Sequence, residues 1–165
     1  MKAIFLDRDG VINHDCGYAY LVEDLRIIPG VPRALRLLQQ MGYVPVIVTN
    51  QSAIGRGFCN DDDVDKFMDA LYLELQNQGT TIPKLYDYCP HRPIACCWCR
   101  KPEPGMLLEV ARHHGIDLAQ SFMVGDKHSD VQAGDSAGCR YSFQVETNKP
   151  GELLRVVHLI REHYT

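Results

Sequence analysis

Two aspartates two positions apart, Asp7 and Asp9, directly follow the apolar run Lys2–Leu6 and precede Gly10. Side chains at i and i+2 of an extended segment project to the same side. Two carboxylates so placed can hold a hard cation such as Mg²⁺, or one can act as a nucleophile that accepts a phosphoryl group. An isolated Asp-x-Asp-Gly is also a common solvated turn, so its reading depends on its partners. Thr49-Asn50-Gln51-Ser52 follows a second apolar run. It offers a hydroxyl and amides to phosphate oxygens, or forms a polar loop closed by an Asx turn. Arg100 and Lys101 are adjacent cations ahead of Pro102-Glu103-Pro104-Gly105, either an anion clamp or surface charge. Gly125-Asp126-Lys127-His128-Ser129-Asp130 brings two further carboxylates, to a metal site or to a helix start.

A different chemistry is concentrated between Cys89 and Cys99, where four of the seven cysteines lie. Cys89, His91, Cys97 and Cys99 supply three thiolates and an imidazole, a set suited to tetrahedral structural zinc. Cys96 is a spare thiol that could replace Cys97. The alternative is a group of cysteines without metal. Cys16, Cys59 and Cys139 are isolated, and ordinary packing is their default.

The elements that must position these groups are readable from periodicity. Apolar runs at Lys2–Leu6 and Val44–Val48 read as buried strands, although Pro45 suits a strand start better than a centre. Further strands are predicted at Leu85–Tyr88, Ser121–Val124 and Tyr141–Phe143. Val31, Ala34, Leu35, Leu38 and Met41 recur at helical spacing, with Pro32 in the first turn and Gly42 as a stop. Asn60 and Asp61 are cap candidates for an amphipathic helix ending near Gly79. Helices are also predicted at Met106–His114, Val131–Ala137 and Glu152–His163, and residues 7–29 are predicted to be mostly loop. Strand and helix alternate throughout, which implies a Rossmann-like three-layer αβα sandwich with a mainly parallel sheet. Ligands of such sheets bind beyond the carboxyl ends of the strands, where the polar groups above fall.

At 165 residues the chain is expected to form one domain, 1–165, with a zinc loop at 89–99. The formal net charge of −4 and pI near 5.9 argue against a nucleic-acid binder. An anionic substrate must therefore be held by local cations or a metal. No stretch approaches the roughly 20 apolar residues of a membrane span. The opening apolar run is cut by Asp7, too early for a signal peptide. A cytoplasmic protein is expected, with monomer as the default state.

In combination and order these features resemble the four motifs of the haloacid dehalogenase (HAD) phosphohydrolases: Asp7-x-Asp9, Thr49, Lys101 and Gly125-Asp126-x3-Asp130, across about residues 2–140. The resemblance implies that Asp7 attacks phosphorus, and that Asp9 protonates the leaving oxygen and then deprotonates water. It implies that Asp7, the Asp9 backbone carbonyl and Asp126 hold Mg²⁺. Thr49 and Lys101 would bind the transferred oxygens, and Asp130 would orient Lys101 or a metal-bound water. Only about twenty residues separate Gly10 from the first predicted helix, too few for a cap domain.

Two capless families carry a Cys-x-His…Cys-x-Cys loop: the D-glycero-D-manno-heptose 1,7-bisphosphate 7-phosphatases of lipopolysaccharide and S-layer precursor synthesis, and the histidinol-phosphate phosphatases. Thr49-Asn50-Gln51-Ser52-x-Ile54-x-Arg56-Gly57, Asp7–Asn13 with Gly17-Tyr18, and Gly125-Asp126-Lys127 resemble the heptose enzymes. The five residues between His91 and Cys97 resemble the shorter loop of the histidinol phosphatases. Loops shorten readily, so a sugar bisphosphate is the expected substrate. Its contacts are expected from Asp15, Cys16, Gly17, Tyr18, Asn50, Gln51, Ser52, Arg56, Arg100 and Lys127. The rivals are a histidinol-phosphate phosphatase, a non-catalytic zinc-stabilised binding module and a nucleic-acid 3′-phosphatase.

Overall fold

The protein is described by a computed structural model over residues 1–164. Five short strands form one sheet: β1 (Ala3–Leu6), β2 (Val44–Asn50), β3 (Tyr86–Cys89), β4 (Phe122–Gly125) and β5 (Tyr141–Gln144). Their order is β3-β2-β1-β4-β5, and every pairing is parallel. The chain builds outward from β1 through β2 to β3, then crosses to β4 and β5. The order therefore reverses beside β1, where an open α/β sheet splays to make a ligand crevice.

The helices are α1 (Val31–Gln40), α2 (Ser52–Gly55), α3 (Asp61–Asn77), α4 (Gly105–His114), α5 (His128–Ala137) and α6 (Glu152–His163). Strand alternation divides the core in two. Ile4 and Leu6 of β1 join Leu35, Phe67, Leu71 and Val156 from α1, α3 and α6. Ala3 and Phe5 point the other way, to Met106, Leu107 and Ala133 from α4 and α5. With both faces covered, the middle strands are apolar until their carboxyl ends, where Thr49 and Asn50 close β2 and Asp7 follows β1. Among the described residues no helix is long and apolar enough to cross a membrane.

The structure departs from the sequence reading at element ends. Helix α5 begins at His128 rather than Val131, because the Lys127 amide donates to Asp130 Oδ2 at 3.0 Å and closes an extra turn. Helix α2 follows β2 at once, with no apolar periodicity to announce it. Pro45 is accommodated inside β2 because β3 joins only from Ile47 onward. Its missing N–H therefore lies beyond the β2–β3 ladder. The expected Asn60 cap is present as a reciprocal pair with Asp63, both bonds 3.0 Å. Between Gly10 and α1 the chain makes bridges Asp9–Asn13 and Asn13–Ile27 and a 3₁₀ turn, Val22–Asp24, but no inserted domain.

Gly125, the last residue of β4, has no room for a side chain, since a Cβ there would collide with Asp130 Cβ and Cγ. Gly125→Ala is expected to destabilise the protein by about 1–3 kcal/mol through overpacking, read as a lowered Tm. An unchanged unfolding transition would contradict this packing.

Candidate active site

The sheet's carboxyl edge gathers a buried charge cluster. Asp7 follows β1, Lys101 precedes α4, Asp126 follows β4 and Asp130 lies in α5. All four are buried. Lys101 Nζ donates to Asp7 Oδ1 at 2.8 Å and to the Val48 carbonyl at 2.8 Å, and lies 2.6 Å from Asp130 Oδ1. Burial alone would lower the Lys101 pKa, but the Asp7 and Asp130 carboxylates outweigh it and raise it, so Lys101 stays a cation. Burial, then the Asp7 charge, pushes the Asp130 carboxyl up, against Lys101 and the Lys127 amide. Burial, reinforced by Asp7, pushes the Asp126 carboxyl up to about 6, although Thr147 and Lys127 pull it down.

Two buried carboxylates thus share one buried ammonium, and a third, Asp126, lies beside them without a contact to it. Asp7, Asp126 and Asp130 place carboxylate oxygens within 4.8 Å of one another. Asp130 spends its oxygens on Lys101 and on the Lys127 amide. Asp126 Oδ2 accepts from the Thr147 hydroxyl at 2.7 Å, whereas Asp126 Oδ1 is buried with no hydrogen-bond partner. An orphaned carboxylate oxygen beside two more carboxylates suits a hard divalent cation. Gly10, at φ +86°, permits this approach, because a Cβ there would stand 2.6 Å from Asp126 Oδ2.

Asp9 is braced separately. Its carboxylate accepts from Arg8 Nε and Nη2, each at 3.0 Å, from Asn13 Nδ2 at 2.9 Å and from Gln51 Nε2 at 2.9 Å. Arg8 is fully buried, with its guanidinium over the Phe67 ring at 4.2 Å and a further bond to the Ala19 carbonyl at 2.5 Å. Gln51 Nε2 also donates to Thr49 Oγ1 at 2.9 Å, joining the Asp9 carboxylate to the Thr49 hydroxyl.

These groups border a cleft of about 320 Å³. Asp7, Asp9, Thr49 and Lys101 lie along it, with Asp15, Gly17, Tyr18, Asn50, Gln51, Ser52, Arg100, Lys127 and Asp130. Two sequence-predicted contacts do not line it. Cys16 is exposed on the loop, and Arg56 stands at the rim with its guanidinium 5.9 Å from the Tyr18 ring. Asp126 lies beneath rather than in the wall. Ser129 and Ala19 line the cleft and went unnoticed, although Ser129 lies inside the Asp126–Asp130 motif. Arg8, Asn13 and Thr147 have no individual role in the sequence reading; arginine is expected at the surface, which hides Arg8.

The cysteine cluster forms beside this site. Cys89, His91, Cys97 and Cys99 bring their Sγ and Nδ1 atoms together, with Cys99–Cys89 at 3.2 Å and Cys89–Cys97 at 3.5 Å. These separations are far from an S–S bond and near the roughly 3.8 Å edge of a tetrahedral zinc–thiolate site. Cys96 is exposed outside the cluster, in a left-handed turn at φ +50° that directs the chain onward to Cys97. The cluster is bound to the active edge by backbone. Gln51 N donates to the Cys89 carbonyl at 2.8 Å, and Gly55 N to Pro90 O at 2.9 Å. Arg100 Nη1 donates to the His91 carbonyl at 3.2 Å.

Asn50 completes the link. Its Nδ2 donates to the Lys101 carbonyl and its Oδ1 accepts from the Lys101 amide, both at 3.1 Å. Although Asn50 lines the cleft, its amide is committed to the peptide that carries Lys101.

Fold and site together define a HAD-like hydrolase. A HAD-hydrolase-like family model matches residues 98–154. The D-glycero-beta-D-manno-heptose-1,7-bisphosphate 7-phosphatase of Photorhabdus laumondii is 43% identical over 157 residues, covering 91% of this chain and 83% of its own length. The enzyme of the same name from Escherichia coli K12 is 41% identical, covering 91% and 82%. A crystal structure of the D,D-heptose 1,7-bisphosphate phosphatase from B. bronchiseptica, complexed with magnesium and phosphate, superposes with a TM-score of 0.88 at 31% identity, covering 98% of this chain and 99% of that one. The chain belongs to the D-glycero-beta-D-manno-heptose-1,7-bisphosphate 7-phosphatase family.

Asn50→Ala removes both ties to the Lys101 peptide. Lys101 is the cation expected to bind the transferred oxygens, and small misplacements of such a group are costly, so kcat is expected to fall by about ten- to a hundredfold in a folded protein. Unchanged kcat would mean that the ammonium contacts alone hold Lys101.

Proposed function

We propose that this chain is a magnesium-dependent phosphatase that removes the C7 phosphate of D-glycero-beta-D-manno-heptose 1,7-bisphosphate through a phospho-aspartate on Asp7. The observation that carries the reading is the buried Lys101 bridge between Asp7 and Asp130, set beside a braced Asp9 at the sheet's switch point. A non-catalytic module has no use for so costly a burial of charge. The names of the relatives support the heptose substrate and its beta anomer, and they outweigh the short zinc loop.

In this reading an Asp7 oxygen forms a bond to phosphorus as the bond to the sugar O7 breaks. Asp9 gives its proton to that leaving oxygen. Water then attacks the aspartyl phosphate and gives its proton to Asp9, releasing phosphate and restoring Asp7. Lys101 and Thr49 bind oxygens of the transferred group. Asp130 positions Lys101, since its oxygens are already engaged. Asp7, the Asp9 carbonyl and Asp126 would hold Mg²⁺, which when bound neutralises charge on the carboxylates and the phosphoryl group. Arg100 and Lys127, with Arg56 at the rim, supply positive charge for the phosphate that stays. Asp15, Gly17, Tyr18 and Ser52 face the sugar.

Cys89, His91, Cys97 and Cys99 would hold a structural zinc that fixes the loop carrying Arg100 and Lys101. Burial raises the Cys89 thiol pKa, so a bound cation would be what keeps that sulfur a thiolate. One sheet with a core on each face supports a single domain. The acidic net charge supports a small substrate rather than nucleic acid. The accompanying reading is a cytoplasmic enzyme acting as a monomer.

Phosphate release from both anomers of the heptose bisphosphate and from histidinol phosphate tests the substrate. The beta heptose anomer is expected to be preferred, and Asp7→Asn to lose nearly all turnover. Preference for histidinol phosphate would overturn the substrate and leave the chemistry. Zinc removal by a chelator is expected to lower kcat by about tenfold, restored by zinc and not by added Mg²⁺. Full activity after verified zinc loss would refute the coupling.

A further inference from the structure

The turn after β5, Thr147-Asn148, has no role in the motif scheme, yet it touches two parts of the site. Thr147 fixes Asp126 Oδ2. Asn148 reaches the loop on the other side of Gly10. Its Oδ1 accepts from the Asp15 amide at 2.7 Å, and its Nδ2 donates to the Asp15 carbonyl at 3.0 Å. Both main-chain groups of Asp15 are thereby held by one side chain, 133 residues away in sequence. Asn148 is itself anchored, with its amide donating to the Gly10 carbonyl at 3.0 Å. It also adopts φ +60°, a left-handed conformation that asparagine tolerates better than most residues.

The held loop needs such a tie. Its base is closed by the Asn13–Ile27 bridge, but Cys16, Gly17 and Tyr18 are exposed and the segment has no regular structure. Its far end is fastened by the buried Arg8 bond to the Ala19 carbonyl, but between Asp15 and Tyr18 the other ties are looser: a 3.6 Å ion pair from Asp15 to Lys127 and an edge contact of Tyr18 with Phe58. Asp15, Gly17 and Tyr18 nonetheless form one wall of the cleft. With its backbone fixed by Asn148, the Asp15 carboxylate is left to receive the Gly17 amide at 2.9 Å and to face Lys127.

We infer that Asn148 is a specificity-determining positioning residue, which fixes the Asp15–Tyr18 wall against the bound sugar through the Asp15 peptide. The inference rests on the proposed assignment of that wall to the sugar. It requires the tie to matter for a substrate that fills the cleft, and not for one that engages only the phosphoryl site. Ordering a binding loop in advance lowers the cost of binding and leaves the chemical step alone.

The test is Asn148→Gly beside Asn148→Ala. Both remove the clamp and its two hydrogen bonds, but glycine keeps the left-handed turn free of strain, so a KM change shared by both variants is not caused by strain in the turn. In both, KM for the heptose bisphosphate is expected to rise about tenfold, the equivalent of one to two net hydrogen bonds, with kcat nearly unchanged. Turnover of p-nitrophenyl phosphate should be unaffected, and amide exchange over residues 15–18 should accelerate while the sheet stays protected. Equal losses on both substrates, or an unchanged KM for the bisphosphate in Asn148→Gly, would overturn the inference. If the wild-type protein does not turn over the heptose bisphosphate, the substrate reading fails instead. The clamp then stands or falls on exchange at residues 15–18, where unchanged protection overturns it.

Discussion

Lys101 lies between Asp7 and Asp130 in a region almost closed to water, and that bridge sets the terms for everything around it. A buried ammonium must be paired and fully bonded; Lys101 meets this with two carboxylates and the Val48 carbonyl. The carboxylates, with Asp126 beside them, outnumber it. Burial first, and then the neighbouring negative charge, raise the Asp126 and Asp130 pKa values, and a divalent cation would offset that charge. The excess negative charge would repel an anionic phosphoryl group, so the proposed transfer depends on the cations at this edge, Lys101 and a bound divalent ion.

The fold brings these groups together from distant positions. Parallel strands end at one edge, so Asp7, Thr49 and Asp126 arrive there by topology alone. Lys101 is different: it comes from a loop with few apolar anchors. Three devices compensate. The Cys/His cluster gathers the loop, the backbone bonds from Gln51 and Gly55 seat its root, and Asn50 grips the Lys101 peptide. A second asparagine, Asn148, does the same for Asp15. In both cases a side-chain amide matches the main-chain N–H and C=O of one residue, joining segments that share no strand ladder.

Much of this was legible in the sequence, and the reason is periodicity. Two-sided burial makes β1 and β2 nearly unbroken apolar runs, so the polar residues that end them stand out. The Cys/His spacing marked its cluster, and the structure groups Cys97 rather than Cys96. What could not be read depended on long-range contact. Arg8 looks like a surface charge until Asp9, Ala19 and Phe67 are seen around it. Asn50 reads as a substrate contact until Lys101 folds against it. Thr147 and Asn148 carry no local signal. Helix α5 starts early because of one side-chain bond from Asp130, which a propensity pattern does not contain.

The central claim is that Asp7 carries the phosphoryl group between sugar and water. Acid-quenching the enzyme during turnover with Mg²⁺ and the heptose bisphosphate, followed by peptide mass mapping, tests it most directly. The account predicts a phosphoryl group on the peptide containing Asp7, located to that carboxylate. A phosphoryl group on a different residue would contradict it. So would turnover by the wild-type enzyme with no acyl phosphate at any quench time, the earliest taken within a single turnover.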